Sequence, residues 1–473
     1  MKRMTALLLS LVMALTLLTI SVSAETTKKS AIWDGSVSTS WYTGKKKEYN
    51  ISKASQLAGL AKLVNSGYSM EGVVINLTAD ITLNDTTNCN DWYNNPPKNK
   101  FTPIGCTGNP INGYAPFAGL FNGNGHTIKG LYVNSYKAAG LFGYLYCACV
   151  SNVILEKGLV IGYDDGKTEL INRGCYAGGI AGIAEGSVIN QCENGNKVLA
   201  LGPDSLISGA RDAHAGGIVG SMHTENMSAA MVAGGFAAFG VFYNAAIFTD
   251  GSGGLIKSSG VVNCINNGYV GANNAHNSYA GGIAGWGNNG MIKNCFSTWF
   301  LPDTAEYSGD IAGGLHRCDI INCYSYKEDK KSVPVGYPTH FSSVSAAQLD
   351  EKQMVSKEFP EALGTAFVYR KGDRPYLACD KRSASSSSSS SKPKVTIKDG
   401  KATITWNKAA NAVSYIIYQK NSDGKYVKLK STEKTSVTLK NIKSGKKYTI
   451  RIKAKYKDGT TKTIKNGDFS FTA

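Results

Sequence analysis

Several chemistries lack their signatures in this chain of 473 residues. No Gly-x-Ser-x-Gly occurs, and no protease signature surrounds any cysteine, so serine and cysteine peptidase chemistry find no support. Histidine is scarce, at 6 residues, and neither a Cys-x-x-Cys pair nor a His cluster with zinc spacing is present; no metal or cofactor is expected. Phosphate-loop and dinucleotide fingerprints are missing, because the glycine runs sit in turns rather than ahead of helices. Arg-Gly-Asp is absent, which leaves integrin-type binding without a motif. Beyond the first two dozen residues no apolar run matches the first in quality, although Ala229 to Phe248 comes close.

What the chain does have is glycine, at 53 residues, and a recurring phrase. It reads AGLF at Ala118, AGLFG at Ala139, AGGIAG at Ala177, AGGIVG at Ala215, AGGIAG at Ala280 and AGGL at Ala312. The marker glycines Gly119, Gly140, Gly179, Gly217, Gly282 and Gly314 are spaced 21, 39, 38, 65 and 32 residues apart. Such periods mark stacked units, each too small to bury its own apolar face. A coil of three short strands and three turns needs roughly 20 to 30 residues, so each phrase reads as one coil. Four repeats close on Asn-Cys or Gln-Cys, placing Cys192, Cys264, Cys295 and Cys323 in equivalent slots. Stacking turns an equivalent slot into a column, and a buried thiol column is favoured there over disulfides or metal. Alternation puts Val188, Asn190 and Cys192 on one face. Cys318 with Cys323 and Cys89 with Cys106 remain candidate bridges, whereas Cys147 and Cys149 share a strand face and are poorly placed to bond.

The first 24 residues read as a signal peptide, with a basic start, an apolar core and a Val-Ser-Ala end at Ala24. Residues 25–382 read as a stacked all-β unit. Within its lead, Leu57, Leu60, Ala61 and Val64 have helical spacing, predicting a capping helix over Ser55 to Asn65 with Ser52 or Ser55 as cap and Gly67 as stop. Val73 to Leu83 follows as a strand. The 65-residue interval holds an apolar insertion, 222–257, expected to leave the stack as a packed flap. Ser383 to Ser391 reads as a flexible tether.

Residues 392–473 carry 20 Lys/Arg against 5 Asp/Glu, a balance of +15, while the remainder is nearly neutral at 31 against 29. Basic character therefore belongs to one module, which either solubilises the chain or adheres to an anionic polymer. Nucleic acid is not expected, because Arg451 is the module's only arginine. Short alternating strands separated by Asp399-Gly400, Asp423-Gly424 and Asp458-Gly459 suggest a small β-sandwich.

Two resemblances follow. Segments FAGLFNGNGHTIKGLYVN (Phe117 to Asn134), AAGLFGYL (Ala138 to Leu145) and AGGIAG followed by Asn-Cys resemble GLUG-motif repeats of bacterial surface proteins, some attached to immunoglobulin-A-cleaving peptidases. That resemblance spans Ala31 to Leu377, including a closing segment at Val355 to Leu377. It implies a right-handed parallel β-helix with terminal caps, surface display, and no catalytic residues on the motif. Trp406, Tyr415, Tyr418, Leu439 and Tyr448 resemble a fibronectin type III module, with Tyr448 in the place of the tyrosine corner.

The resulting expectation is a secreted or cell-surface, non-catalytic adhesion or binding protein whose partner is a glycan or a host or wall surface. Trp33, Trp41, Trp92, Trp286 and Trp299 motivate the glycan reading, since aromatic faces stack on sugars. The alternatives are a polysaccharide lyase or glycoside hydrolase, with Asp310, Arg317 and Asp319 as its candidate acidic and basic groups, and a structural accessory domain of a surface assembly. Other acidic groupings, Asp164, Asp165 and Glu169 with Arg173, and Asp204, Arg211, Asp212 and His214, read as solvated loop charges. His126 reads as a structural turn residue. Oligomeric state is not legible.

Overall fold

A computed structural model describes residues 31–109, 113–165, 174–203, 212–224, 259–273, 277–298, 305–327, 332–340, 343–382 and 393–472, except 399, 407, 408, 410, 411, 441, 444 and 457–460. Residues 1–380 and 381–473 form two compact units. The signal segment, the serine tether, Trp299 and the insertion from residue 225 onward lie outside the described residues. Met222 itself belongs to the strand Val219–His223 and is buried. Among the described residues no helix is long and apolar enough to cross a membrane.

The first unit is a parallel β-helix. One full coil runs through Gly174–Gly178, Ala181–Glu185, Val188–Asn190 and Glu193–Leu201 before the next begins at Asp212–Gly216. Each strand pairs in parallel with its counterpart one coil on, as Gly174–Gly178 does with Asp212–Gly216. Ala181–Glu185 likewise pairs with Val219–His223. The coil between Cys264 and Cys295 contains five strand pieces rather than the expected three. The added length has become regular structure, because a strand laid in register satisfies backbone groups that a free loop would leave to water.

Tight corners hold these faces together. At the Ala-Gly-Gly corner, a Cβ on Gly217 would collide with the Asn266 side chain and the Gly282 carbonyl, so the chain can bend there only without a side chain. At the Asn-Cys corner the residue before the thiol takes a left-handed turn: Gln191, Asn263, Asn294 and Asn322 have φ between 51° and 55°, and Asn152, ahead of Val153 at the equivalent place, has φ 57°. That turn breaks the simple alternation. Ile189 and Cys192, not Val188 and Cys192, enter the main core.

Three interior columns result. Cys192, Cys264, Cys295 and Cys323 are fully buried, and the Cys192 and Cys264 backbone N–H groups point to the Sγ of the next thiol at 3.4 and 3.3 Å. Asparagines at the turn stack beside them: Asn263 donates to Asn190 at 3.0 Å, Asn294 to Asn263 at 3.2 Å and Asn322 to Asn294 at 2.9 Å. Asn194, Asn266 and Ser297 form a third, with Asn194 Nδ2 to Asn266 Oδ1 at 3.0 Å. All eleven cysteines are free, so the bridges considered for Cys318 with Cys323 and Cys89 with Cys106 do not form. Nor do Cys147 and Cys149 share a strand face, because Cys147 sits at a turn with φ 49°.

Helix α1 (Ala54–Asn65) buries Leu57, Leu60, Ala61 and Val64 against the first coils. Its start is fixed by Gln56, whose Oε1 accepts from the backbone N–H of Ser52 and Lys53, rather than by a serine cap. Val73 to Leu83 splits into Val74–Leu77 and Ile81–Thr82, each adding to a different face of the stack. The closing segment is not an end plug but a strap along the flank. Helices α2 (Glu351–Met354) and α3 (Glu358–Leu363) and the hairpin Phe367–Val368/Tyr376–Leu377 bury Met354, Phe359 and Leu377 in one cluster with Ile265 and Phe296. At its far end the Cys379 carbonyl closes on Gly125.

The second unit is an antiparallel sandwich of a three-stranded and a four-stranded sheet. Trp406, Tyr415, Ile417, Ile450 and Ile452 fill its core. Tyr448 Oη accepts from the Lys443 backbone N–H at 2.9 Å, closing a tyrosine corner. Asp423-Gly424 makes a hairpin with Gly424 at φ 78°; Asp458-Gly459 lies outside the described residues.

Candidate ligand-binding face

The tryptophans do not form one surface. Trp92 is 3% exposed and packs with Tyr132, Leu159 and Leu199. Trp33 is also buried, its Nε1 donating to the Ser36 carbonyl at 2.8 Å. Trp41 is half-buried, edge-on to Tyr42 and Tyr49 beside the helix core. Burial follows from their place in the lead and first coils, where the stack has no preceding neighbour to cover it. Trp286 behaves differently.

Trp286 stands on the outer face of Ala284–Asn288, in register with Ser221 before it and Gly314 after it. A side chain on Gly314 would enter the indole, so the ring lies across that glycine toward the adjoining sheet. There the residue preceding each Ala-Gly or Ser-Gly pair forms a continuous line: Tyr176, His214, Tyr279 and Tyr307 are direct register partners. Period-two alternation sends Ala177, Ala215 and Ala280 into the core and these rings outward. Centroids lie 5.2 Å apart for Tyr176 and His214, 5.1 Å for His214 and Tyr279, and 5.0 Å for Tyr279 and Tyr307. Trp286 closes on Tyr279 at 5.0 Å and Tyr337 on Tyr307 at 4.8 Å. Packing of this kind is worth about 0.5–1.5 kcal/mol per pair beyond area burial.

Exposure grades along the line. Tyr279 and His214 are buried, Tyr176, Trp286 and Tyr307 are half-buried, and Tyr337 is 40% exposed. Burial, with Asp212 nearby, pushes the Tyr176 phenol up to about 12 and raises Tyr279 as well, so both rings stay neutral donors. Neither ring nitrogen of His214 has a hydrogen-bond partner, and its Nε2 lies 3.9 Å from Asp212 Oδ2. Asp212 also accepts from Asn277 Nδ2 at 3.0 Å. The face therefore offers a line of rings, packed edge to face from Tyr176 to Tyr279 and stacked between Tyr279 and Tyr307, and edged by a carboxylate. In the sequence this signal lies in the residue ahead of Ala177, Ala215 and Ala280, which reads Tyr, His and Tyr in turn.

The candidate hydrolytic groups do not converge. Asp310 is buried and spent: it accepts from Ser325 Oγ at 2.8 Å, Ser332 Oγ at 2.9 Å and Gln348 Nε2 at 2.7 Å. Arg317 and Asp319 are exposed at the other end of the strand Ala312–His316, roughly 20 Å along an extended chain. Asp164 forms a buried ion pair with Lys137 at 2.6 Å, while Glu169, Arg173, Asp204 and Arg211 lie outside the described residues. His126 meets Asp80 at 3.1 Å at a turn. Among the described residues no group of three His, Cys, Asp or Glu side chains could hold a metal. A concavity of about 630 Å³ is lined by Trp33 and Trp92. Its acids, Asp85 and Asp91, are taken up by Thr87 and by Asn94 and Asn95.

Residues 397–463 match the family of PBP1-like, fibronectin3-like domains. No curated protein matches the chain. One solved structure, from Bacteroides ovatus and provisionally described as an immunoglobulin A1 protease, is similar at 17% identity over 70% of this chain and 92% of that chain, with a TM-score of 0.39. A likeness at that score carries no argument about this chain.

Proposed function

We propose that this is a secreted or cell-surface, non-catalytic binding protein. Its β-helix, of the GLUG-motif kind, presents the Tyr176–Tyr337 line to a glycan, and its basic fibronectin type III-like module holds an anionic surface. One observation carries the reading: ring-bearing residues recur at the same register position on consecutive coils, giving a linear array with Trp286 laid across it. A linear array of rings suits a chain of pyranoses, each presenting an apolar face, as bases are held on stacking platforms. The Asp310, Arg317 and Asp319 separation supports binding over hydrolysis at that alternative site.

The test is a panel of soluble polysaccharides incubated with the full chain, scoring retention together with new reducing ends or unsaturated uronates. Retention of at least one glycan without cleavage is the expected result. Cleavage products, or no retention anywhere on the panel, would remove this reading.

A further inference from the structure

We propose that the open side of the C-terminal sandwich is a docking cleft for a phosphodiester-linked glycopolymer. The proposal rests on the reading of that module as the part that holds an anionic surface, and it names the site. The strand Tyr426–Thr432 is an edge of the four-stranded sheet, and Ser436–Leu439 is an edge of the three-stranded one. Since only residues 433–435 separate them, both edges lie on the same side of the sandwich and leave it unclosed. Between them is a cleft of about 440 Å³.

Four lysines rim it: Lys430, Lys440, Lys443 and Lys446, all exposed. Among the described residues lining the cleft, none is acidic. A bulge sets the aim, because Ile417 pairs with Lys430 and Tyr418 with Lys428, leaving Leu429 as the extra residue. Lys430 therefore sits on the core-facing side of its strand, opposite buried Ile417, and it lines the cleft. The floor is apolar. Leu429 is 43% exposed, and it shares the cleft with Leu439, Ile442 and the ring of Tyr448, over which Lys446 Nζ stands at 5.8 Å.

Lysines alone would be explained by the need to blunt two open edges. An exposed leucine set among them works against that purpose, since it adds a sticky surface to the edge it should protect. Converging point charges over an apolar floor fit a ligand that alternates phosphate with a sugar or polyol. Ammonium groups bind phosphate without the planar fork that guanidinium uses for flat carboxylates and base edges. With four cations in one cleft, a repeating anion gains more than a single one, by effective concentration.

The test measures binding of the full chain to immobilised poly(glycerol phosphate) over a range of salt. One variant combines Lys430→Gln, Lys440→Gln, Lys443→Gln and Lys446→Gln. A control of equal charge combines Lys425→Gln, Lys447→Gln, Lys453→Gln and Lys455→Gln, none of which lines the cleft. A third is Leu429→Ser. Unchanged Trp406 emission and melting establish that each module is folded. The cleft variant is expected to lose about tenfold or more in affinity with a shallower salt slope, the control less than about threefold. Leu429→Ser is expected to lose affinity at unchanged slope. Equal losses in the two lysine variants would overturn the cleft while leaving a diffusely basic module intact. Equally tight binding of polygalacturonate or duplex DNA would overturn the choice of ligand. A wild-type chain that ignores poly(glycerol phosphate) but binds another anionic wall polymer would also sink the cleft's ligand, and one that binds none would sink the anchoring reading itself.

Discussion

The two units of this chain spend their side chains in opposite ways. In the β-helix a residue type chosen once is repeated at the same register, so chemistry accumulates in lines: thiols, asparagines, and outside them rings. The sandwich has no repeat. Four of its lysines rim one opening where two sheet edges part, and nearly all of the chain's excess charge is found in that module. A stack is suited to an extended ligand contacted many times, whereas a sandwich edge is suited to one concentrated contact.

Alkaline titration should separate the units most strongly. Burial raises the thiols of Cys149, Cys175, Cys192, Cys264 and Cys295 and pushes Cys318 up to about 12. Below the ordinary thiol value near 8.5 both folded and unfolded chains are protonated, and nothing changes. Above it the unfolded chain ionises while the folded stack does not. Stability then falls by about 1.4 kcal/mol per pH unit for each such thiol until the folded value is reached. Thermal melts from pH 7 to 10 should show the β-helix transition collapsing, and the cysteine-free module changing little. Melting points that move together would break the comparison.

Next in size is Gly217→Val, which forces a branched side chain into Asn266 and the Gly282 carbonyl. It should cost about 3 kcal/mol or more in the stack alone, read as loss of its transition in calorimetry. Asn266→Ala removes the acceptor for Gly268 N–H at 3.1 Å and the partner of Asn194 at 3.0 Å. About 2–3 kcal/mol of β-helix stability should go with it, measured by urea unfolding followed at Trp286. The smallest effect belongs to the sandwich: Tyr448→Phe leaves the Lys443 N–H without its acceptor and should cost about 1 kcal/mol in the module's transition only.

Architecture was legible because recurrence survives variation: the Ala-Gly-Gly and Asn-Cys phrases mark the two corners that every coil must turn. Strand count per coil was not. Nothing in a local run such as Val198 to Leu201 distinguishes a spare loop from a strand that finds its register partner 72 residues away, at Val270. Faces next to the Asn-Cys corner were misassigned for a related reason, since a left-handed residue reverses alternation without altering composition. Tryptophan did not mark the aromatic line in the sequence, because its size signals burial as readily as display; Trp92 is core, and among the described tryptophans only Trp286 joins the line. Asp310 looked available in a run of acids, yet its partners Ser325, Ser332 and Gln348 come from elements that meet only in the folded stack.

The most direct measurement is binding of a glycan retained by the wild-type chain to a double variant, Trp286→Ala with Tyr337→Ala, in which the exposed Tyr337 ring and the half-buried Trp286 indole are removed and the core columns are untouched. A loss of tenfold or more in affinity, equivalent to about 1.4 kcal/mol, is predicted in a variant whose β-helix still melts cooperatively, at a somewhat lower temperature. Undiminished affinity in a folded double variant would contradict the claim that the coils are stacked to present these rings.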